Sequence, residues 1–294
     1  MSSKLETDEA RELPVPSQVA SSVIETTPTS PDPIVSDKVP EGFNRHLQEV
    51  HQKRAEPAQR IEQPGEPSRG QFYDPLKALI DNKISLVEYG SQVQYRYGYG
   101  ELPTVVEWVV PDEELLFASQ ILLEHDFPRL CGQEPDWLSY WDKKCRRHDL
   151  DGHGWMCIHL LPLSLVGLNL KETIEVPSLF AQDLRILTPK PPQYMLSLIR
   201  CLLRLPPGDK SRLRVEKDLR GFISAYIMDD SLVNEAQSVN EENEEHQERV
   251  QNGVQFMKTW DWGNIEGRYK GIAERAVQDY QYIGMMTDQP STTE

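Results

Sequence analysis

The chain of 294 residues is long enough for one large or two small folded domains. Its net charge of −16 and pI of about 4.9 argue against an overall attraction to nucleic acid or to an anionic membrane. No apolar run approaches the roughly 20 residues of a membrane helix, and the N-terminus lacks the apolar core of a signal peptide. The four cysteines show no framework spacing. We therefore expect a cytoplasmic or nuclear protein with reduced thiols.

Proline and polar residues dominate the first 70 residues, which hold nine of the 22 prolines and almost no aromatic residues. Such a segment cannot bury enough apolar surface to offset the entropy cost of ordering it. We predict a disordered Pro/Ser/Glu-rich tail over residues 1–70. We expect an α/β domain over residues 71–230, a helical C-terminal extension over 231–286 and a second disordered tail over 287–294.

The first folded elements are expected close to residue 73. Apolar residues at helical spacing predict a short amphipathic helix over 73–83, and "ISLVEYG" (84–90) is typical of a strand. The aromatic, Gly-rich segment 92–100 suits a short helix or turn followed by a loop. The β-branched run "TVVEWVV" (104–110) predicts a second strand. A helix follows Pro111, with Asp112 as its N-cap.

Later segments predict further short strands and then helices. Residues 128–154 form a polar excursion. Three short strands are expected at 155–164, 165–168 and 179–189, one helix is expected from Pro191 onward, and further helices are expected at 211–227, around 246–260 and at 265–285. The order predicts an α/β or α+β fold, a small mixed sheet with flanking helices.

Three segments of this order resemble the minimal nucleotidyltransferase fold over roughly residues 74–230. Gly90-Ser91 matches the Gly-Ser turn that follows the first strand in that family. "VVEWVVPDEELLFASQIL" resembles its acid-bearing strand and the next helix, and "EKDLRGF" resembles its Lys-Asp-Leu segment, with Lys217 and Asp218. The Pro-rich head and acidic tail also resemble uncharacterised fungal proteins of this type.

The resemblance implies a nucleotide site at the Gly-Ser turn. Gly90 and Ser91 would face the phosphates, and Lys217 would neutralise charge. Glu107, on the acid-bearing strand, would hold at most one metal ion. Magnesium is the cofactor that the resemblance implies if a nucleotide is bound.

The acid-bearing strand lacks a second acid. Nucleotidyl transfer uses two metal ions, and magnesium favours carboxylate ligands. Acids at i and i+2 of a strand share one face, but Val105 and Val109 flank Glu107 here. On the candidate third strand the polar residue is His159 rather than an acid. We therefore predict a degenerate active site that binds rather than catalyses.

Other functions stay open at this point. One is a regulatory or interaction protein, in the nucleus and tied to a fungal biosynthetic pathway. Another is an active metal-dependent nucleotidyltransferase that brings a further acid, such as Asp183, within about 4–6 Å of Glu107 to share metals. The simplest interpretation of the motif is an ordinary turn at Gly90 with a surface acid on an edge strand.

A compact basic cluster, "KKCRRH", lies in the polar excursion. Its cations, Lys143, Lys144, Arg146 and Arg147, are candidates for a nuclear localisation signal or a phosphate-contacting patch. The simpler interpretation is a solvated loop paired with nearby acids. Protein partners are expected through the tails or this cluster. Neither a membrane nor nucleic acid is an expected partner.

Cysteine and histidine pairs in the same region offer a zinc alternative. Zinc favours these residues at short paired spacings, and Cys145-x2-His148 and His153-x3-Cys157 fit that pattern. Only four residues separate the two pairs, and His159 falls on an expected strand. We interpret this group as ordinary loop and core residues.

Overall fold

The computed structural model describes residues 69–98, 105–130, 140–228, 242–263 and 267–286. Apart from Arg69 and Gly70, both predicted tails lie outside these residues, so their predicted disorder stays a prediction.

Six strands of the described residues form one mixed sheet. They are Val87–Tyr89 (β1), Val105–Val110 (β2), Arg146–Asp149 (β3), Cys157–Pro162 (β4), Thr173–Pro177 (β5) and Arg185–Pro189 (β6). The order across the sheet is β3-β4-β2-β1-β6-β5. β1 pairs antiparallel with β2 and parallel with β6, β2 pairs parallel with β4, and the edge strands β3 and β5 pair antiparallel with β4 and β6.

Helices flank this sheet and make up the C-terminal region. They are Tyr73–Asp81 (α1), Ser91–Arg96 (α2), Leu115–Glu124 (α3), Tyr140–Lys144 (α4), Leu163–Val166 (α5), Pro191–Arg204 (α6), Lys210–Phe222 (α7), Glu242–Lys258 (α8), Gly267–Gln278 (α9) and Tyr280–Met285 (α10). A π-helix over Ile223–Ile227 continues α7. Across the part of the chain described, no helix is both long enough and apolar enough to cross a bilayer. The predicted mixed α/β fold with a helical C-terminal region is confirmed.

Strand β2 is buried on both faces because helices cover the sheet on both sides. Val106, Trp108 and Val110 alternate along it and join the main core with helices α1 and α3. Glu107 points to the opposite face, where it meets an arginine of α7. A central strand covered on both faces reads as a continuous apolar run, which is why "TVVEWVV" predicted it well.

Two predicted elements differ in type from the observed ones. The segment 165–168, expected as a strand, belongs to the short helix α5 and the turn after it, where Gly167 ends the helix in the left-handed conformation (φ 67°). Asp112 caps no helix. A 3₁₀ turn over Asp112–Glu114 precedes α3, and the Asp112 carboxylate accepts hydrogen bonds from Ser164 instead.

A buried arginine connects the C-terminal end to the sheet domain. Arg212 of α7 donates to the backbone carbonyls of Leu202 and Leu205, which lie at the end of α6. It also donates to the carbonyls of Gly284 and Met286 at the end of α10. Buried carbonyls need such partners, so this one side chain holds three helix ends together.

Candidate functional site

A row of four paired side chains crosses the sheet. Strand register places Arg147 of β3 beside His159 of β4, His159 beside Glu107 of β2, and Glu107 beside Tyr89 of β1. Paired residues of neighbouring strands point to the same face. Glu107 is fully buried at the centre of this row. Its interpretation as a surface acid on an edge strand is therefore wrong.

The Gly90-Ser91 turn lies directly against Glu107. Gly90 has φ 57° and ψ −128°, a conformation that glycine adopts and other residues avoid. A Cβ atom at this position would collide with the Glu107 carboxylate and approach the Arg214 guanidinium to 3.4 Å. The sequence-predicted Gly90, Ser91 and Glu107 are thus brought together, and the turn requires glycine for two separate reasons.

Polar groups of this turn are bound within the protein. The Gly90 carbonyl accepts a hydrogen bond from the Tyr194 hydroxyl at 3.3 Å. The Ser91 hydroxyl donates to the carbonyl of Val105 at 3.4 Å. The turn therefore fastens β1 to β2 and α6, and the carboxylate of Glu107 fills the space above it.

An arginine bridges two carboxylates at this place. The Arg214 guanidinium of α7 forms a close ion pair with buried Glu107 and lies 3.9 Å from the Asp218 carboxylate, one helical turn away. Its side chain is 39% exposed. The same guanidinium stands over the Trp141 ring, 5.6 Å from the centroid, in cation–π geometry. Trp141 and the two acids therefore fix its position.

Burial and neighbouring charges act in opposite directions on the pKa values of Arg214 and Asp218. Burial raises the pKa of the Asp218 carboxyl, although the Arg214 and Lys217 charges act to lower it. Burial alone would lower the pKa of Arg214, but the Glu107 and Asp218 charges outweigh it, so this pKa lies above its ordinary value. Arg214 is therefore a permanent counter-ion for the carboxylates beside it.

A small cavity opens beside this ion pair. Its volume is about 170 Å³, and it is lined by Glu107, Trp141, Cys145, His159, Leu161, Lys210, Ser211 and Arg214. Small-molecule sites typically measure about 300–1,000 Å³. The cavity is thus below the size of a typical small-molecule site, and its walls hold one acid, Glu107, beside the cations Lys210 and Arg214.

The residues present do not fit a two-magnesium site. Such a site needs several carboxylates that share the ions. Glu107 stands without a second acid on its strand, and a guanidinium already neutralises it. In the described ranges, no group of three or more His, Cys, Asp or Glu side chains is arranged to hold a metal ion.

The histidine and cysteine of the first candidate zinc pair, His148 and Cys145, lie in different surroundings. His148 is buried on the other face of the sheet, where it bonds the Ser119 hydroxyl at 2.9 Å and the Phe127 carbonyl at 2.8 Å. Cys145 instead lines the cavity beside His159. His148 is therefore a core residue with two hydrogen-bond partners, as the sequence interpretation has it.

Asp183 and Lys217 lie apart from Glu107. Asp183 accepts a hydrogen bond from the Tyr73 hydroxyl at 3.1 Å. It precedes β6, which runs parallel to β1, so it lies at the end of the sheet where β1 begins. Gly90 follows the other end of β1. The structure therefore does not bring Asp183 to Glu107, and exposed Lys217 stands beside Asp218 rather than in the cavity.

The basic cluster is divided between two elements. Lys143 and Lys144 are exposed at the end of α4, whereas Arg146 and Arg147 are half-buried on β3. Neighbouring residues of a strand point to opposite faces, so these two arginines do not share a surface. The expected single solvated loop is wrong, since a helix end and an edge strand occupy this segment.

Sequence reasoning missed Arg214, Trp141 and Lys210 at this site. One signal was present: Arg214 and Asp218 are four residues apart on a predicted helix and therefore share a face. Nothing local indicated that this face would meet Glu107, which is 107 residues away along the chain.

Comparisons with known proteins give a distant structural likeness. The chain matches no protein-family model, and a search of curated proteins found no match. Among solved structures, the chain is similar to the antibiotic-resistance factor ANT(2'')-Ia, determined in solution. The two share 8% sequence identity and a TM-score of 0.35, over 74% of this chain and 94% of that chain. A likeness of this size assigns neither a fold family nor an activity.

Proposed function

We propose that this protein is a nucleotidyltransferase-like domain with a degenerate active site, which acts as a binding module or scaffold rather than as a transferase. The observation that carries the proposal is the Arg214 guanidinium, which pairs with Glu107 and lies beside Asp218. It provides a fixed positive charge at the place where the family's chemistry would need metal ions.

The arrangement of elements supports the resemblance that the sequence suggests. The Gly-Ser turn follows the first strand, and the acid-bearing strand runs antiparallel to that strand. The next paired strand is parallel and carries His159 beside Glu107. The helix that contains the Lys-Asp-Leu segment packs over the same point through Arg214 and Asp218. The approach of these segments, which are far apart in sequence, supports the proposal.

The same contacts argue against transfer chemistry. A transferase would need Glu107 open to metal and phosphate, but its carboxylate is buried between the Gly90 turn and Arg214. Replacing the guanidinium with magnesium would require breaking the ion pair of the buried Glu107 carboxylate, which costs about 1–3 kcal/mol when the carboxylate loses its partner. The site is closed by its own residues.

Calorimetric titration of the full chain with ATP, GTP, CTP and UTP, each with and without magnesium, tests the proposal. We expect no magnesium-dependent heat and the same traces for a Glu107→Gln variant. Magnesium-dependent binding that Glu107→Gln abolishes would contradict the proposal and favour an active metal-dependent transferase. Binding without magnesium would be consistent with a ligand role that uses the cationic walls of the cavity.

A second candidate function is that of an interaction protein whose fold serves as a scaffold. The observation that favours it lies outside the cavity, on the outer face of α3, where large apolar side chains are exposed. Monomeric proteins seldom expose such side chains side by side, and grouped ones mark interaction sites.

A further inference from the structure

Helix α3 is apolar on both faces. Its inner face packs on α1, β3 and β4 through buried residues such as Ile121 and Leu122. On the outer face, Leu116 is 66% exposed, Phe117 is 53% exposed and Leu123 is 39% exposed. A surface helix normally places polar residues on its outer face. The core therefore does not account for the outer apolar residues.

These side chains lie on one face of the helix. Helix geometry aligns residues at i, i+3, i+4 and i+7 along one face. The outer face of α3 and of the 3₁₀ turn before it consists of Glu113, Leu116, Phe117, Gln120, Leu123 and Glu124. We refer to these six residues as the α3 surface. Its apolar residues stand in the middle, and an exposed acid stands at each end.

The charge of this segment has one sign. Residues 112–124 contain four acids and no basic residue. At the C-terminal end the Gln120 amide donates to the Glu124 carboxylate at 2.9 Å, which holds that acid along the α3 surface. On the neighbouring helix α1, Lys77 pairs with Asp81 at 2.7 Å rather than with these acids. The potential along the α3 surface is therefore negative at both ends.

We propose that the α3 surface docks a short amphipathic helix of a partner protein, with apolar residues at helical spacing and Lys or Arg at both ends. Apolar anchors at i, i+3/i+4 and i+7 are the usual means of helix recognition. Basic ends complement Glu113 and Glu124 and exclude wrong partners. Three exposed apolar side chains suit a single helix rather than a large protein–protein interface.

A second copy of this chain is the less suitable occupant. In an antiparallel pair, Glu113 of each copy would face Glu124 of the other. In a parallel pair, each acid would face its own equivalent. Like charges at close range across an interface are unfavourable, and the net charge of −16 adds to the repulsion.

Two synthetic helical peptides with one apolar face test the proposal against the full chain. The first carries Lys at both ends and the second carries Glu, and binding is measured by fluorescence anisotropy. We expect the Lys-ended peptide to bind about tenfold more tightly at low salt, with a smaller ratio at high salt because ions screen the charges.

Surface variants locate the binding. Leu116→Ser/Phe117→Ser should weaken the Lys-ended peptide about tenfold, because it removes the central apolar anchors. Leu213→Ser is the matched control, since Leu213 is also exposed, at 60%, but lies on α7. It should bind like the unaltered protein. Glu113→Lys/Glu124→Lys should reverse the preference between the two peptides.

Thermal unfolding of each variant verifies its fold, and exposed positions should leave the midpoint nearly unchanged. Binding of neither peptide, equal binding of both, or equal loss in Leu213→Ser would each overturn the proposal. Light scattering measures whether the protein forms a dimer through the α3 surface. A dimer that Leu116→Ser/Phe117→Ser dissociates would identify a second copy as the occupant and would also overturn it.

Discussion

Two buried glutamates on neighbouring strands pair with arginines in different ways. Glu88 of β1 binds Arg96 through both carboxylate oxygens, and both side chains are buried. Arg96 follows it by only eight residues and also donates to the Pro177 carbonyl. Glu107 of β2 pairs with Arg214, which comes from a distant helix and is partly exposed beside a cavity.

This difference distinguishes a structural ion pair, Glu88–Arg96, from the ion pair of the candidate functional site, Glu107–Arg214. The Glu88–Arg96 pair is local, enclosed and bidentate, so its role is to fix α2 against the sheet. The Glu107–Arg214 pair closes a position that faces the Gly90 turn and a cavity. Both are Glu–Arg ion pairs, but they have different roles. The exposure of the arginine distinguishes the two pairs.

Glu88→Gln should show the largest effect on stability. The variant leaves the Arg96 charge buried without its carboxylate, which costs about 3–5 kcal/mol. Urea denaturation measures the free energy of unfolding. A Glu88→Gln/Arg96→Met double variant removes both charges and should recover part of the loss. A cost below about 1 kcal/mol for Glu88→Gln would show that this pair resembles a surface pair.

Gly90→Ala should destabilise the protein by about 3 kcal/mol, through backbone strain and through displacement of the Glu107 carboxylate. Gly208→Ala is the matched control, since Gly208 also has positive φ but has open space around it. It should cost about 1 kcal/mol by strain alone. Equal costs in urea denaturation would show that the turn does not press on Glu107.

Arg214→Met should cost about 1–3 kcal/mol, because it removes the guanidinium that pairs with the buried Glu107 carboxylate. The cost is smaller than for Glu88→Gln since partial exposure lets water reach the site. Arg185→Met is the control: Arg185 forms an exposed pair with Glu175 at 3.8 Å. Such pairs contribute about 0–1 kcal/mol. If both variants unfold at the same urea concentration, Arg214 has no special role.

His148→Gln tests a buried ionisable group whose bonding partners are neutral. Burial lowers the pKa of His148 from its ordinary 6.5. The unfolded chain therefore takes up a proton at higher pH than the folded protein, and stability falls as pH drops below 6.5. The variant should lose less stability than the unaltered chain between about pH 7.5 and about pH 5. His125→Gln, at an exposed position, is the control. If His148→Gln changes the pH dependence of the unfolding free energy no more than this control does, the prediction is wrong.

Sequence patterns predicted the elements that are buried and therefore rich in apolar residues. Strand β2 is apolar except for Glu107, and Pro191 opens α6 at the predicted position. Strand β3 was missed because it is an edge strand made of charged and polar residues, as edge strands often are. The short strand β5 was also missed, and it lies at the other edge.

The candidate site could be predicted only where it is local. Gly90 and Glu107 belong to one local unit, β1-α2-β2, so their approach follows from sequence. The pairing of Glu107 with Arg214 depends on how α7 packs, which no local pattern specifies. The resemblance to fungal proteins and the cytoplasmic or nuclear location stay predictions.

A double-mutant cycle between Glu107 and Arg214 tests the central claim most directly. The free energies of unfolding of Glu107→Gln, Arg214→Met and the double variant are compared with that of the unaltered chain. If Arg214 is the built-in counter-ion of Glu107, the two changes are coupled by about 1–3 kcal/mol. Additivity to within about 0.5 kcal/mol would contradict the claim.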